Sequence, residues 1–314
     1  MEKDKKLENI PTNELQGDVG LPIMNQMIKI LTVTQSDERN STEIVVLSEA
    51  DEAKHAALAS MNEEDRFSKI SHSSLLGAPI DCLRKKLLIL DLNGLLVDIV
   101  SHPPKDHKAD AKIAKCAVFR RPFCLDFLRF CFERFEVAVW SSRIKKNVEK
   151  VVDYLMGDLK HKLLFCWDLS HCTATSFRTL ENKHKVMVFK ELRRIWENND
   201  PNFSWKKGDF NESNTLLVDD SPYKGLLNPP HTAIYPYSYT FQDTSDHLLG
   251  PGGDLRVYLD GLAGAENVQK FVEQNPFGQR AITEESASWD FYMQVINSLF
   301  IFIESQSSRG AGNS

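Results

Sequence analysis

Hydrophobic residues are scattered through the first 80 positions and then, from Leu83 onward, gather into short runs separated by helical periods. Before that change Glu, Asp, Lys, Ser and Asn dominate, and the apolar pieces, such as "IMNQMIKILTV" and "EIVVL", are short. They offer too little apolar surface to offset the entropy of ordering, so residues 1–80 are expected to form a mostly disordered leader. Residues 81–280 have the texture of a domain. "KLLIL" predicts a strand. "RRPFCLDFLRFCFERF" predicts a helix started by Pro122, with Phe123, Phe127, Phe130 and either Leu128 or Cys131 on its apolar face. "EVAVW" predicts another strand. In "KKNVEKVVDYLMG" the residues Val148, Val151, Val152 and Leu155 recur at helical spacing, and Gly157 supplies the stop. "KLLFCW" predicts a strand, "HKVMVFKELRRIWEN" a helix, and "NTLLV" and "TAIYP" two further strands. This alternation predicts an α/β fold, a doubly wound parallel sheet with helices on both faces. Beyond it, Trp289, Met293, Ile296 and Phe300 share one face, so residues 281–305 are expected to be an amphipathic helix that packs on the domain or docks a partner. Residues 306–314 read as a flexible tail.

Composition narrows the function classes. The chain carries a formal net charge of −6, and its basic pieces, "RKK" at 84–86 and "RIKK" at 143–146, are short. Nucleic-acid binding is therefore not expected. Six cysteines with no CxxC pair suit a reducing compartment and free thiols. The beginning, "MEKDKKLENIPTNELQ", is too acidic and polar for a secretory or mitochondrial signal, and "LFIFI" is too short for a membrane span. A nuclear or cytoplasmic protein is expected rather than a mitochondrial one.

In a parallel sheet the ligand sits outside the carboxyl ends of the strands. "KLLIL" ends in Asp91, "EVAVW" in Ser141 and Ser142, and "NTLLV" in Asp219 and Asp220. Lys190, placed in the helix before "NTLLV", could bring a cation to the same crevice, with Lys185 its rival. A carboxylate nucleophile, further acids to hold Mg²⁺, and a hydroxyl and an ammonium for phosphate oxygens make a phosphate-handling set. Other features read as structural. Asp220 could cap the turn before Pro222, and Arg120 and Arg121 read as a solvated pair rather than an anion site. "CWDLSHC" brings Cys166, His171 and Cys172 together but lacks a fourth zinc ligand. "GPGGDL" lacks the Gly-Lys-Ser/Thr of a phosphate loop and reads as a loop leading into a helix at Asp254.

The ordered series "LLILDLNGLLVD", "VFRRPFCLDFL", "FEVAVWSSR", "FKEL" and "TLLVDDSPYK" resembles the haloacid-dehalogenase superfamily over roughly residues 83–274. The resemblance is to the FCP- and NIF-type branch, which contains the small phosphatases of the RNA polymerase II C-terminal domain. That branch opens with Asp-x-Asp-x-Thr or Val, in which the first Asp attacks phosphorus and the second is general acid and base. Here Asp91 matches the first, Asn93 replaces the second, and Leu95 stands at the last position. The resemblance implies Mg²⁺ held by Asp91, the Asn93 backbone carbonyl, Asp219 and Asp220, with Ser141 and Lys190 binding phosphate. It also implies a phosphoprotein or phosphopeptide substrate and an aspartyl-phosphate intermediate. An amide cannot shuttle protons, and general acid–base catalysis is typically worth roughly 10²- to 10⁴-fold, so weakened or specialised turnover is expected. The alternative is a binding or scaffold protein that kept the fold and lost turnover, including a role like that of the import-translocase receptor subunit with a degenerate first motif.

Overall fold

The computed structural model describes residues 85–103 and 105–310, with side chains described as far as residue 300. The leader expected at 1–80 and the end of the tail lie outside the described residues.

Five strands form the central sheet, in the order β10-β9-β1-β5-β6, and every pairing is parallel. They are β1 (Leu87–Leu90), β5 (Glu136–Trp140), β6 (Cys166–Trp167), β9 (Thr215–Val218) and β10 (Ala233–Ile234). The central strand β1 is sealed on both sides, which is why it reads as an unbroken apolar run and does not alternate. Leu88 and Leu90 point into one core layer, and Leu87 and Ile89 into the other.

The first layer is helical. In α1 (Cys124–Arg134) the residues Cys124, Phe127, Leu128, Phe130 and Cys131 are buried, and in α2 (Lys145–Met156) Val148, Val151, Val152, Leu155 and Met156 are. Leu255, Leu259 and Leu262 of α4 (Asp254–Gly264) and Val268 and Val272 of α5 (Val268–Gln274) complete it. Phe123, expected on the apolar face of α1, is instead its N-cap, half-exposed in the left-handed region at φ 62°. The second layer is built differently. Among the described residues its α-helix is the single turn α3 (Arg193–Trp196), which adds Ile195 to Leu192, and much of the remaining filling is aromatic, from Phe165, Trp167, Trp205 and Phe210.

The single helix expected over "HKVMVFKELRRIWEN" is instead a short strand followed by one helical turn. Residues Val186–Phe189 form β8, antiparallel to β7 (Thr173–Arg178), and only α3 is helical. The reason is a burial period of two: Met187 and Phe189 enter one cluster while Val188 enters the second layer. Between β1 and α1, where no element is expected from sequence, the chain forms a small antiparallel sheet ordered β2-β4-β3, with β2 at Val97–Val100, β3 at Ala111–Ile113 and β4 at Cys116–Arg120.

The final helix, α6 (Trp289–Gly310), turns Tyr292, Val295 and Ile296 inward. Tyr292 and Val295 pack with Met187, Phe189 and Tyr223. The face expected from sequence, through Trp289, Met293 and Phe300, is only half-buried, so the seam is rotated by about one position. No helix of the described residues is long and apolar enough to cross a membrane.

Candidate active site

Asp91 leaves the carboxyl end of β1, and its N–H donates to the Val218 carbonyl of β9 at 3.0 Å. Asp219 and Asp220 leave the neighbouring end of β9, and Ser141 leaves the end of β5 on the other side. In-register pairing of three buried strands thus delivers three acidic side chains and a hydroxyl to one edge. Asp91, Asp219 and Ser141 are buried.

The carboxylates of Asp91 and Asp219 are bridged twice by ammonium groups. Lys190 Nζ donates to Asp91 Oδ1 at 2.9 Å and to Asp219 Oδ2 at 2.5 Å. Lys224 Nζ donates to Asp91 Oδ2 at 3.2 Å and to Asp219 Oδ1 at 2.8 Å. It also lies 3.7 Å from Asp220 Oδ1. The two acids and two ammoniums therefore alternate around a closed ring, with every carboxylate oxygen engaged. Burial pulls the Lys224 pKa down, but Asp219, Asp91 and Asp220 overrule it and hold the group well above the ordinary lysine value.

Lys190 directly follows β8, so a strand and not a helix carries it. Lys224 sits in a single helical turn, Pro222–Gly225, which Pro222 opens. That turn folds the lysine back over the acids that precede it. The two segments are tied together: Lys190 N–H donates to the Lys224 carbonyl at 2.8 Å, and Asn228 Nδ2 donates to the Lys190 carbonyl at 2.8 Å.

Asn93 stands in the loop after Asp91. Its Oδ1 accepts from the Ile99 N–H at 2.9 Å and from Arg143 Nη2 at 3.5 Å. Gly94 follows at φ +82°, where a Cβ would come within 1.9 Å of Asp220 Oδ2, so only glycine permits this approach. Arg121 fastens the loop. Its guanidinium pairs with Asp246 at 2.9 and 2.6 Å and donates to the Leu95 carbonyl at 3.1 Å. The expectation of a solvated arginine pair therefore holds for exposed Arg120 and fails for Arg121, which is buried because Asp246 neutralises it.

Of the residues expected at the site, Asp91, Asp219 and Lys190 are brought into direct contact, and Asp220 reaches the group through Lys224. Ser141 lies at the adjacent strand end, where its Oγ accepts from Arg143 N–H at 3.4 Å. Lys185 stays exposed beside the Tyr223 ring, its pKa pulled below the ordinary value by partial burial and by the charge of Lys224. Cys166, His171 and Cys172 form no metal-type cluster among the described residues; Asp168 and His171 instead close a capping box, and His171 stacks on Trp167. Sequence reasoning missed Lys224 and Arg143.

Asp91, Asp219 and Asp220 offer carboxylate oxygens within 4.8 Å of one another, hard donors of the kind that suit Mg²⁺. Lys224 already touches all three. With its ammonium in place, a divalent cation would have to compete with it for these oxygens.

A parallel α/β sheet that gathers a buried carboxylate, two further acids and two ammonium groups at the carboxyl ends of its strands is an architecture suited to handling a phosphoryl group. Residues 86–269 match the NLI interacting factor-like phosphatase family, and the chain belongs to that family. Among its relatives is an FCP1 homology domain-containing protein of Schizosaccharomyces pombe, 26% identical over 219 residues, which cover 69% of this chain and 86% of that one. A probable C-terminal domain small phosphatase of Dictyostelium discoideum is 27% identical over 197 residues, covering 60% of this chain and 55% of that one. The ubiquitin-like domain-containing CTD phosphatase 1 of Xenopus tropicalis is 26% identical over 222 residues, covering 67% and 61%.

Proposed function

We propose that this protein binds a phosphorylated serine or threonine side chain of another protein and hydrolyses it slowly through an aspartyl-phosphate on Asp91. The observation that carries this reading is the buried Asp91 carboxylate held between two ammonium groups at the carboxyl end of the central strand. An Asp91 oxygen attacks phosphorus as the bond to the serine oxygen breaks, and water then cleaves the acyl phosphate. Lys190 and Lys224 offset the charge of the incoming phosphoryl oxygens. Asn93 orients through its amide oxygen but has no proton to give the departing alkoxide, so this step is slow. Lys224 takes the carboxylate oxygens that the resemblance gives to Mg²⁺, and no step of this reading runs through a metal.

A binding protein without turnover is the second reading. It is favoured by the engagement of both Asp91 oxygens, since a nucleophile tied to two ammoniums attacks less readily. The two readings are separated by measuring phosphate release from an aryl phosphate and a phosphoserine peptide, beside Asp91→Asn. Slow release that vanishes in the variant supports the enzyme. Release that is equal in both, or absent in both, refutes it.

A further inference from the structure

We propose that Lys224 is a built-in cation that takes the place of a divalent metal, so that this site takes up phosphate without Mg²⁺. The inference rests on the reading of Asp91 as the phosphoryl site and adds to it the identity of the charge that makes the site work.

A metal at the edge of an acidic strand cluster has two tasks. It holds one oxygen of the nucleophile, and it neutralises enough carboxylate charge for a phosphate dianion to approach. Lys224 does both. Its Nζ contacts Asp91 Oδ2, Asp219 Oδ1 and Asp220 Oδ1, one oxygen from each of the three acids that form the metal-type cluster. Lys190 takes the opposite oxygens of Asp91 and Asp219. Three carboxylates and two ammoniums leave one negative charge, and Arg143, whose guanidinium reaches Asn93 Oδ1, brings the neighbourhood close to neutral. Without Lys224 the same three acids would face a phosphate dianion with Lys190 as the one ammonium in contact with them among the described residues.

The lysine is built in and not merely resting there. It is buried, and its neighbours Tyr223 and Gly225 are buried with it. Its backbone is fixed at both groups, since its N–H donates to the Ser221 carbonyl at 3.0 Å and its carbonyl accepts from Lys190 N–H. At Gly225 a Cβ would meet Tyr235 Oη at 2.2 Å, which shows how closely the turn is wedged against the sheet. A metal that took the acids would leave this ammonium buried without its partners. Removing one partner of a buried ion pair corresponds to a penalty of roughly 10²- to 10⁴-fold in an equilibrium constant. Mg²⁺ binding should be weakened by about that factor.

The test uses the full chain and inorganic phosphate as the probe. Calorimetry is run in EDTA and in millimolar Mg²⁺, and Mn²⁺ binding is followed by electron paramagnetic resonance. The wild type is expected to bind phosphate equally, within about twofold, under both conditions, and to leave the free Mn²⁺ signal unchanged. In Lys224→Met, phosphate binding in EDTA should fall roughly tenfold to a hundredfold, in line with loss of a charged hydrogen-bonding partner. Mg²⁺ should restore it, and Mn²⁺ should now bind. Phosphate binding by the wild type that requires Mg²⁺, or Mn²⁺ binding by the wild type that Asp219→Asn abolishes, overturns the inference without the variant and leaves the phosphoryl-site reading intact. No phosphate binding under either condition overturns both.

Discussion

Replacing Asn93 by Asp tests the chemistry of the site most directly, because the change is nearly isosteric and adds only an ionisable oxygen. Asn93 Oδ1 already accepts from the Ile99 N–H and from Arg143, and one carboxylate oxygen can accept from both donors in the same geometry. The second oxygen is then available to carry a proton. Full general acid–base assistance is worth roughly 10²- to 10⁴-fold, but both donors favour the ionised carboxylate and so reduce its protonated fraction near neutral pH. The lower reach of the range applies, and a gain of about tenfold is expected on a phosphoserine peptide, equivalent to about 1.4 kcal/mol of barrier. An aryl phosphate, whose leaving group needs less protonation, should gain less than about half as much. The acid form is populated as pH falls toward its pKa, so the advantage of the variant should widen below neutrality. Phosphate release from both substrates, in wild type and Asn93→Asp, over a series of pH values measures all of this. Equal rates on phosphoserine in the two proteins would refute the view that the missing acid is what limits the site.

Three other substitutions probe its supports. Arg121→Ala leaves Asp246 buried without its bidentate partner and frees the Leu95 carbonyl, so stability should fall by about 3–5 kcal/mol; the urea midpoint should drop with an unchanged slope. Gly94→Ala forces a left-handed alanine into Asp220 and should lower stability by at least about 1 kcal/mol, read as a fall in Tm. Burial pushes the Cys124 thiol up to about 12 from 9.0. A raised folded-state pKa means stability that is present below the unfolded value and lost as pH rises from there toward the folded one. Urea unfolding at about pH 8 and about pH 10.5 should therefore show a loss from Cys124 on the order of 2 kcal/mol, absent in Cys124→Ala. An identical pH dependence in both proteins would count against the burial argument.

What could be read from sequence was what depended on local periodicity. β1, α1, β5, α2 and β9 follow runs whose burial repeats every residue or every three to four, and the acids at their carboxyl ends follow from the rule for parallel sheets. "HKVMVFKEL" was misleading because four consecutive apolar residues fit a helix and a two-sided strand equally well, and only the packing of Met187 and Phe189 against α6, with Val188 turned the other way, decides between them. Lys224 was hidden for another reason. In "DDSPYKG" a lysine after a proline turn looks like a solvated charge, and nothing local reveals that the turn folds its ammonium back onto Asp219. Arg121 was obscured in the same way, since its partner Asp246 lies 125 residues along the chain.

The packing of α6 gives the domain a back wall. Phe189 and Tyr223, each one residue before a site lysine, are pressed from behind by Tyr292 and Val295, whereas the family match stops at residue 269. The site lysines fall inside the family match, and a helix outside that match packs behind them. A cut at residue 269 would separate the two, leaving both ammonium groups on segments whose rear faces are wet.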